Sequence, residues 1–195
     1  MYDTSNFHFE DNTGAFGSCS AIMDGRMLVF GGDATYGNQI SEVANCGLSR
    51  IGKLPLDFSY LACNTFNGDS EYVLLCFPFK QQSGCHRFDG TDITADISSN
   101  YNHYSTSLGR HGNNGIIVGG YRDNNHVEKF TNNAWIVIDD FGFVLDYISD
   151  YSMVSLGEDL YLFGKCLFIS FQNSCSCRNL SVRNCHKNND TLVVF

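Results

Sequence analysis

A chain of 195 residues that is 43% hydrophobic and 17% charged is long enough to bury a core, and too rich in aromatic residues to be intrinsically disordered. Its net charge of −9 argues against a nucleic-acid partner, whose binding draws on Lys and Arg. The longest apolar stretch, Tyr161 to Phe171, is broken by Lys165 and is too short for a membrane helix, which takes about 20 residues.

The elements come in a regular order. Tyr2 to Phe7 places an aromatic before turn residues and a second aromatic, which predicts that residues 1–17 end a preceding unit. Residues 18–59 carry a short strand, the turn Asp24-Gly25 and an apolar strand ending at Gly31-Gly32. Residues 60–103 repeat this plan, with an apolar run ending at Cys76-Phe77 and a further strand, Cys85-His-Arg-Phe88. Residues 104–150 repeat it again through Gly119-Gly120, His126 to Phe130 and Ala134-Trp135-Ile136-Val137-Ile138. Residues 151–165 open another unit that reaches Gly164, and residues 166–195 lose the pattern and are expected to form a divergent Cys- and Asn-rich tail.

The apolar runs end at Gly32, Phe77, Gly120 and Lys165, that is 45, 43 and 45 residues apart. A period of this length marks a repeat architecture. Four short antiparallel strands in about 44 residues make one propeller blade, and a blade buries its faces only by stacking on its neighbours. The expected fold is all-β: four-stranded antiparallel blades in an incomplete propeller, about three full blades with partial blades at both ends. Uncovered blade faces in such an arc predict self-association.

The third unit, with Val118-Gly119-Gly120, then Val127-Glu128-Lys129-Phe130, then Trp135, resembles the kelch repeat, whose unit joins an apolar strand and a Gly pair to a later aromatic and a Trp. The first unit keeps Gly31-Gly32 without a Trp, the second has Cys76-Phe77 in place of the pair, and the fourth has Gly164 alone. The resemblance implies a propeller whose rim loops hold a peptide or protein partner, and by position it carries Tyr121, Arg122 and Asn124 into that role. The matching loops of the other units offer Asp33, Tyr36, Asn38 and Lys80. Arg supplies a rigid fork for carboxylates, and Tyr supplies contact area at low entropic cost.

Other chemistry has weaker support. The Gly pairs lack the spacing of a phosphate-binding loop and read as structural, letting the backbone turn and approach a neighbour. Cys166, Cys175, Cys177, Cys185 and His186 have zinc-ligand side chains but lack a Cys-x2-Cys pair. His103, His111 and His126 share one unit with no carboxylate evident to orient them. Nine cysteines are an odd number spread through different strands, so most are expected to be reduced, with Cys63 and Cys76 packing as small hydrophobes. The N-terminus lacks the basic start and apolar stretch of a secretory signal, which predicts a cytoplasmic protein. The reading is therefore a non-enzymatic protein-interaction module with no catalytic residues, cofactor, metal or membrane contact. Its rivals are an oxidase or lyase on the same scaffold, as some kelch-fold relatives are, and a truncated fragment without independent function.

Overall fold

The computed structural model describes residues 17–32, 37–44, 47–120, 126–140, 152–156, 159–164, 167–171, 181–185 and 190–194; beyond residue 138 it describes side chains at 152–154, 160 and 161. The described residues are all-β. The first sheet contains β1 (Cys19–Met23), β2 (Arg26–Phe30), β3 (Gln39–Ala44) and β4 (Gly47–Lys53), each antiparallel to the next. The second repeats the meander with β5 (Ala62–Asn67), β6 (Glu71–Cys76), β7 (Cys85–Phe88) and β8 (Ile93–Ala95), and the third with β9 (Leu108–His111), β10 (Asn114–Val118), β11 (His126–Thr131) and β12 (Ala134–Asp140). Tight turns set the register. Asp24-Gly25 has φ of 49° and 72°, and Asn132-Asn133 has 49° and 57°, the paired positive values of a two-residue hairpin.

The sheets stack face to face because neither face of a single sheet is polar enough to stand alone. Val73, Leu75 and Phe88 of the second sheet pack on Ala21, Met23, Leu28, Phe30 and Ile40 of the first. On its other face Phe66, Leu74, Cys76 and Cys85 meet Leu108, Ile117, Phe130 and Trp135 of the third. Strand alternation divides each sheet between its two neighbours in this way. Gly115 lies at the second contact, where an added Cβ would come 3.2 Å from the Phe66 ring. The first strands β1, β5 and β9 lie side by side along the inner edge of the stack, followed by β13 (Ser152–Leu156).

The fourth sheet contains β13, β14 (Asp159–Gly164), β15 (Leu167–Phe171), β16 (Ser181–Cys185) and β17 (Asp190–Val194) in the order β13-β14-β15-β17-β16, with β17 parallel to β15. The segment expected as a divergent tail therefore supplies three of its strands. Apolar and β-branched runs such as Leu167-Phe-Ile and Leu192-Val-Val form strands whether or not the Gly and Trp marks of the repeat accompany them.

The cysteines also differ from expectation. Cys63 is bonded to Cys19, which ties β5 to β1 across the first two sheets, and Cys76 is bonded to Cys85, its direct partner in the β6–β7 register. Both had read as packing thiols because they sit in apolar strands; what brings their partners close is the stacking and the register, neither of which is visible in Cys spacing.

Candidate functional site

In an antiparallel meander the β2–β3, β6–β7 and β10–β11 loops and the linkers between sheets all fall at one end, and this end is the candidate rim. Its floor is built from the positions that close the second strands. The amides of Gly31, Phe77 and Gly119 donate to the carbonyls of Gln39, Gly84 and His126 at 2.9, 2.8 and 2.8 Å. All three have positive φ, 65°, 63° and 60°. Glycine tolerates this conformation, whereas Phe77 carries a bulky side chain there.

The Gly pairs lie where neighbouring backbone crowds the second-strand ends. A Cβ on Gly31 would overlap the Phe58 carbonyl oxygen, and Gly32 donates to that carbonyl at 2.9 Å. A Cβ on Gly120 would lie 2.8 Å from the His103 Cα. In both places the linker entering the next sheet presses against bare backbone. Gly164 ends β14 and pairs with Leu167.

Beneath the linkers lies a buried polar pair. His103 and Glu128 are both fully buried, with His103 Nε2 2.7 Å from Glu128 Oε2 and His103 Nδ1 against the Gly119 carbonyl. Both ring nitrogens therefore face an oxygen. Glu128 also accepts from the Asn100 amide at 3.0 Å, the Asn100 side chain at 2.5 Å and the Tyr101 amide at 3.1 Å. Burial alone pushes its carboxyl up; the hydrogen bonds from His103 and Asn100 outweigh that and hold it below the ordinary value. A carboxylate does face one of the three histidines, contrary to the reading of the sequence, because the fold brings together positions 25 residues apart. His126 instead stacks on Tyr101, with ring centroids 3.5 Å apart. No group of three or more His, Cys, Asp or Glu is placed to hold a metal among the described residues. Of the zinc candidates, Cys166, Cys175, Cys177 and His186 lie outside the described residues, and Cys185 closes β16.

The same third-strand position recurs in the second sheet. His86 faces Leu75 across the β6–β7 register as Glu128 faces Ile117 across β10–β11. His86 packs against Phe58 with ring centroids 4.9 Å apart, its Nδ1 lacks a hydrogen-bond partner, and burial pushes its pKa down.

At the surface of this end, Phe79 is 51% exposed and meets the Tyr104 ring at 5.2 Å, and Tyr104 meets Tyr60 at 5.5 Å. Lys80 stands beside them, 3.6 Å from Asp57, with both side chains open to solvent. Of the residues that the sequence nominates for partner contact, Lys80 is therefore on the surface beside an aromatic cluster. Asn38 is half-buried, and its carbonyl accepts from the Leu54 amide at 2.9 Å. Asp33, Tyr36, Tyr121, Arg122 and Asn124 lie outside the described residues. Sequence reasoning missed Asp57, Tyr60, Phe79 and Tyr104; the signal was the run Pro78-Phe79-Lys80, an apolar ring next to a charge in a loop.

A groove of about 740 Å³ runs along the inner edge, lined by Ser18, Ser20, Asn64, Thr65, Arg110 and Ser152 among others. Its charged groups serve the fold. Arg110 donates to the Gly112 and Thr65 carbonyls at 2.8 and 3.2 Å, and Glu71 accepts from the Asp24 amide at 2.5 Å.

No protein-family model and no curated protein sequence matches this chain. Among solved structures it is similar to that of YjhT, with a TM-score of 0.58 at 9% sequence identity over 75% of this chain. The chain spans 57% of YjhT. At that identity the likeness concerns the fold alone, and it agrees with an all-β array of repeated four-stranded sheets.

Proposed function

We propose that the chain is an arc of a kelch-like β-propeller that binds a peptide or protein on its rim and performs no chemistry there. The observation that carries this reading is exposed Phe79 packed on the half-buried rings of Tyr104 and, through it, Tyr60, beside Lys80 and Asp57, at the end where the inter-sheet linkers and strand loops converge. Rigid aromatic rings next to paired charges suit recognition, since they offer contact area at small entropic cost and a polar means of orienting the ligand. The Gly31-Gly32 and Gly119-Gly120 contacts and the buried Trp135, whose indole N–H donates to the Ile97 carbonyl at 3.1 Å, support the kelch likeness. The two disulfides favour an oxidising compartment over the cytoplasm expected from the N-terminus.

Selection of a displayed random-peptide library on the full chain tests the reading. Enriched peptides are expected to lose binding at least tenfold on Phe79→Ser or Lys80→Glu and to keep it on Ile136→Ser, an exposed apolar residue of β12 beside the Asn132-Asn133 turn at the opposite end of the meander. Failure to enrich any peptide, or enrichment indifferent to the two rim substitutions, would refute it.

A further inference from the structure

The two disulfides differ in what surrounds them. Cys76 and Cys85 are 0% and 2% exposed, inside the apolar cluster between the second and third sheets. Cys19, the first residue of β1, and Cys63, the second of β5, are half-buried. They pack against the cluster between the first and second sheets and also line the groove of about 740 Å³ along the inner edge. A groove of that volume falls in the range of small-molecule sites, about 300–1,000 Å³. Ser18, Ser20 and Asn64, the sequence neighbours of the two cysteines, line it as well, and Arg110 stands among them, so the walls suit a ligand with polar arms. The bridge is also not the sole tie between β1 and β5. The Tyr60 amide donates to the Gly17 carbonyl at 2.6 Å before it, and the Thr65 hydroxyl donates to the Ile22 carbonyl at 2.5 Å beyond it. Buried Met23, Leu28, Phe30, Val73, Leu75 and Phe88 join the same two sheets.

We propose that Cys19–Cys63 is a thiol–disulfide exchange site, opened within the folded protein by a small polar thiol that enters the groove, whereas Cys76–Cys85 is a permanent link. The thiolate of the incoming molecule attacks one Sγ and forms a mixed disulfide with that cysteine. The Cys19–Cys63 bond breaks, its electron pair leaves on the other Sγ, and that sulfur takes a proton from water. A second thiolate then attacks the mixed disulfide, so two thiols supply the two electrons that leave both cysteines reduced, and the small molecule departs as its own disulfide. The reverse sequence, begun by that oxidised small molecule, restores the bond. Access decides which of the two disulfides reacts. An exposed disulfide is the labile one, while a buried one must wait for the protein to open before a nucleophile reaches it. The flanking hydrogen bonds and the apolar cluster hold the first two sheets together while the bridge is open, which makes the exchange reversible in the folded state.

Reduced glutathione, added without denaturant to the full chain prepared under oxidising conditions, tests the site. Samples are acid-quenched over time, alkylated with iodoacetamide, digested and mapped by tandem mass spectrometry. Glutathione or alkyl adducts are expected at Cys19 and Cys63 about a hundredfold faster than at Cys76 and Cys85. Circular dichroism should keep its β-sheet form while they accumulate, and oxidised glutathione should bring back the Cys19–Cys63 linkage. Equal rates at the two pairs, or adducts at Cys19 and Cys63 that appear only in urea, overturn the proposal. So does loss of the β-sheet signal in step with reduction of Cys19–Cys63, or an oxidised chain in which that linkage is absent.

Discussion

Replacing Glu128 tests whether the buried polar pair holds the third sheet to the linker that enters it. Glu128→Leu leaves His103 fully buried with one ring nitrogen facing an apolar group, and strips an acceptor from the Asn100 and Tyr101 amides. Leaving one partner of a buried hydrogen-bonded pair unsatisfied costs about 1–3 kcal/mol or more, and His103→Leu, which leaves the carboxylate short of one donor, falls in the same range. The double variant removes both ends of the contact, so its loss should be smaller than the sum of the single losses by about 2 kcal/mol, the coupling expected of groups in direct contact. Urea unfolding of the four proteins at neutral pH, followed by tryptophan fluorescence from Trp135 beside the pair, reads this cycle. Single losses that simply add to within about 0.5 kcal/mol would refute the coupling, and singles costing under about 1 kcal/mol would refute the claim that the pair is structural.

Three other outcomes follow from the same geometry. Burial lowers the His86 pKa below 6.5, so an unfolding chain takes up a proton there; its contribution to stability is complete above about 6.5 and is lost as pH falls through that value, with the lowered Glu128 carboxyl adding its own loss below about 4.5. Urea midpoints at pH 7.5 and 5.5 should therefore differ in the wild type and converge in His86→Leu. At Phe77, whose φ is 63°, removing the buried ring should cost about 3–5 kcal/mol as Phe77→Ala, and about 1 kcal/mol less as Phe77→Gly because glycine relieves the left-handed conformation. Thermal unfolding that ranks Ala above Gly would contradict this. Opening Cys19–Cys63, which closes a separation of 44 residues, with Ser at both positions should cost up to about 4 kcal/mol, against about 3 kcal/mol for the 9-residue Cys76–Cys85 separation; melting temperatures of the two Ser-pair variants should rank accordingly.

The repeat was legible because it is written in local marks. Gly31-Gly32, Cys76-Phe77 and Gly119-Gly120 close the second strands at a near-constant spacing, and each mark answers a need within one sheet: a positive φ, a close backbone approach, a hairpin turn. What the sequence did not show depends on pairs of residues that only strand register, stacking or a linker brings together. Cys19 and Cys63 are ordinary strand residues until the first two sheets stack, and Glu128 looks like a solvated strand carboxylate until the linker brings His103 and Asn100 over it. The strands of residues 167–194 escaped for the opposite reason. Their apolar alternation is a strand signal, but they lack the Gly and Trp marks whose spacing defines the repeat.

The buried position in the third strand shows how one architectural site has been met with different chemistry. Ser41, His86 and Glu128 occupy it in successive sheets, and all three are buried. In the second sheet the linker places the apolar ring of Phe58 against it, and His86 is left with an unpartnered nitrogen and a lowered pKa. In the third sheet the linker places His103 there, and the carboxylate is fully hydrogen-bonded. Exchanging the linker residue should therefore transfer the property. Phe58→Asn offers His86 a polar neighbour; if its side chain reaches Nδ1, the acid sensitivity of the protein between pH 7.5 and 5.5 should shrink while its stability at pH 7.5 falls by about 3–5 kcal/mol through loss of the ring. Urea midpoints measured at both pH values separate the two effects. An unchanged pH dependence would mean that the orphaned nitrogen is not what sets the His86 response.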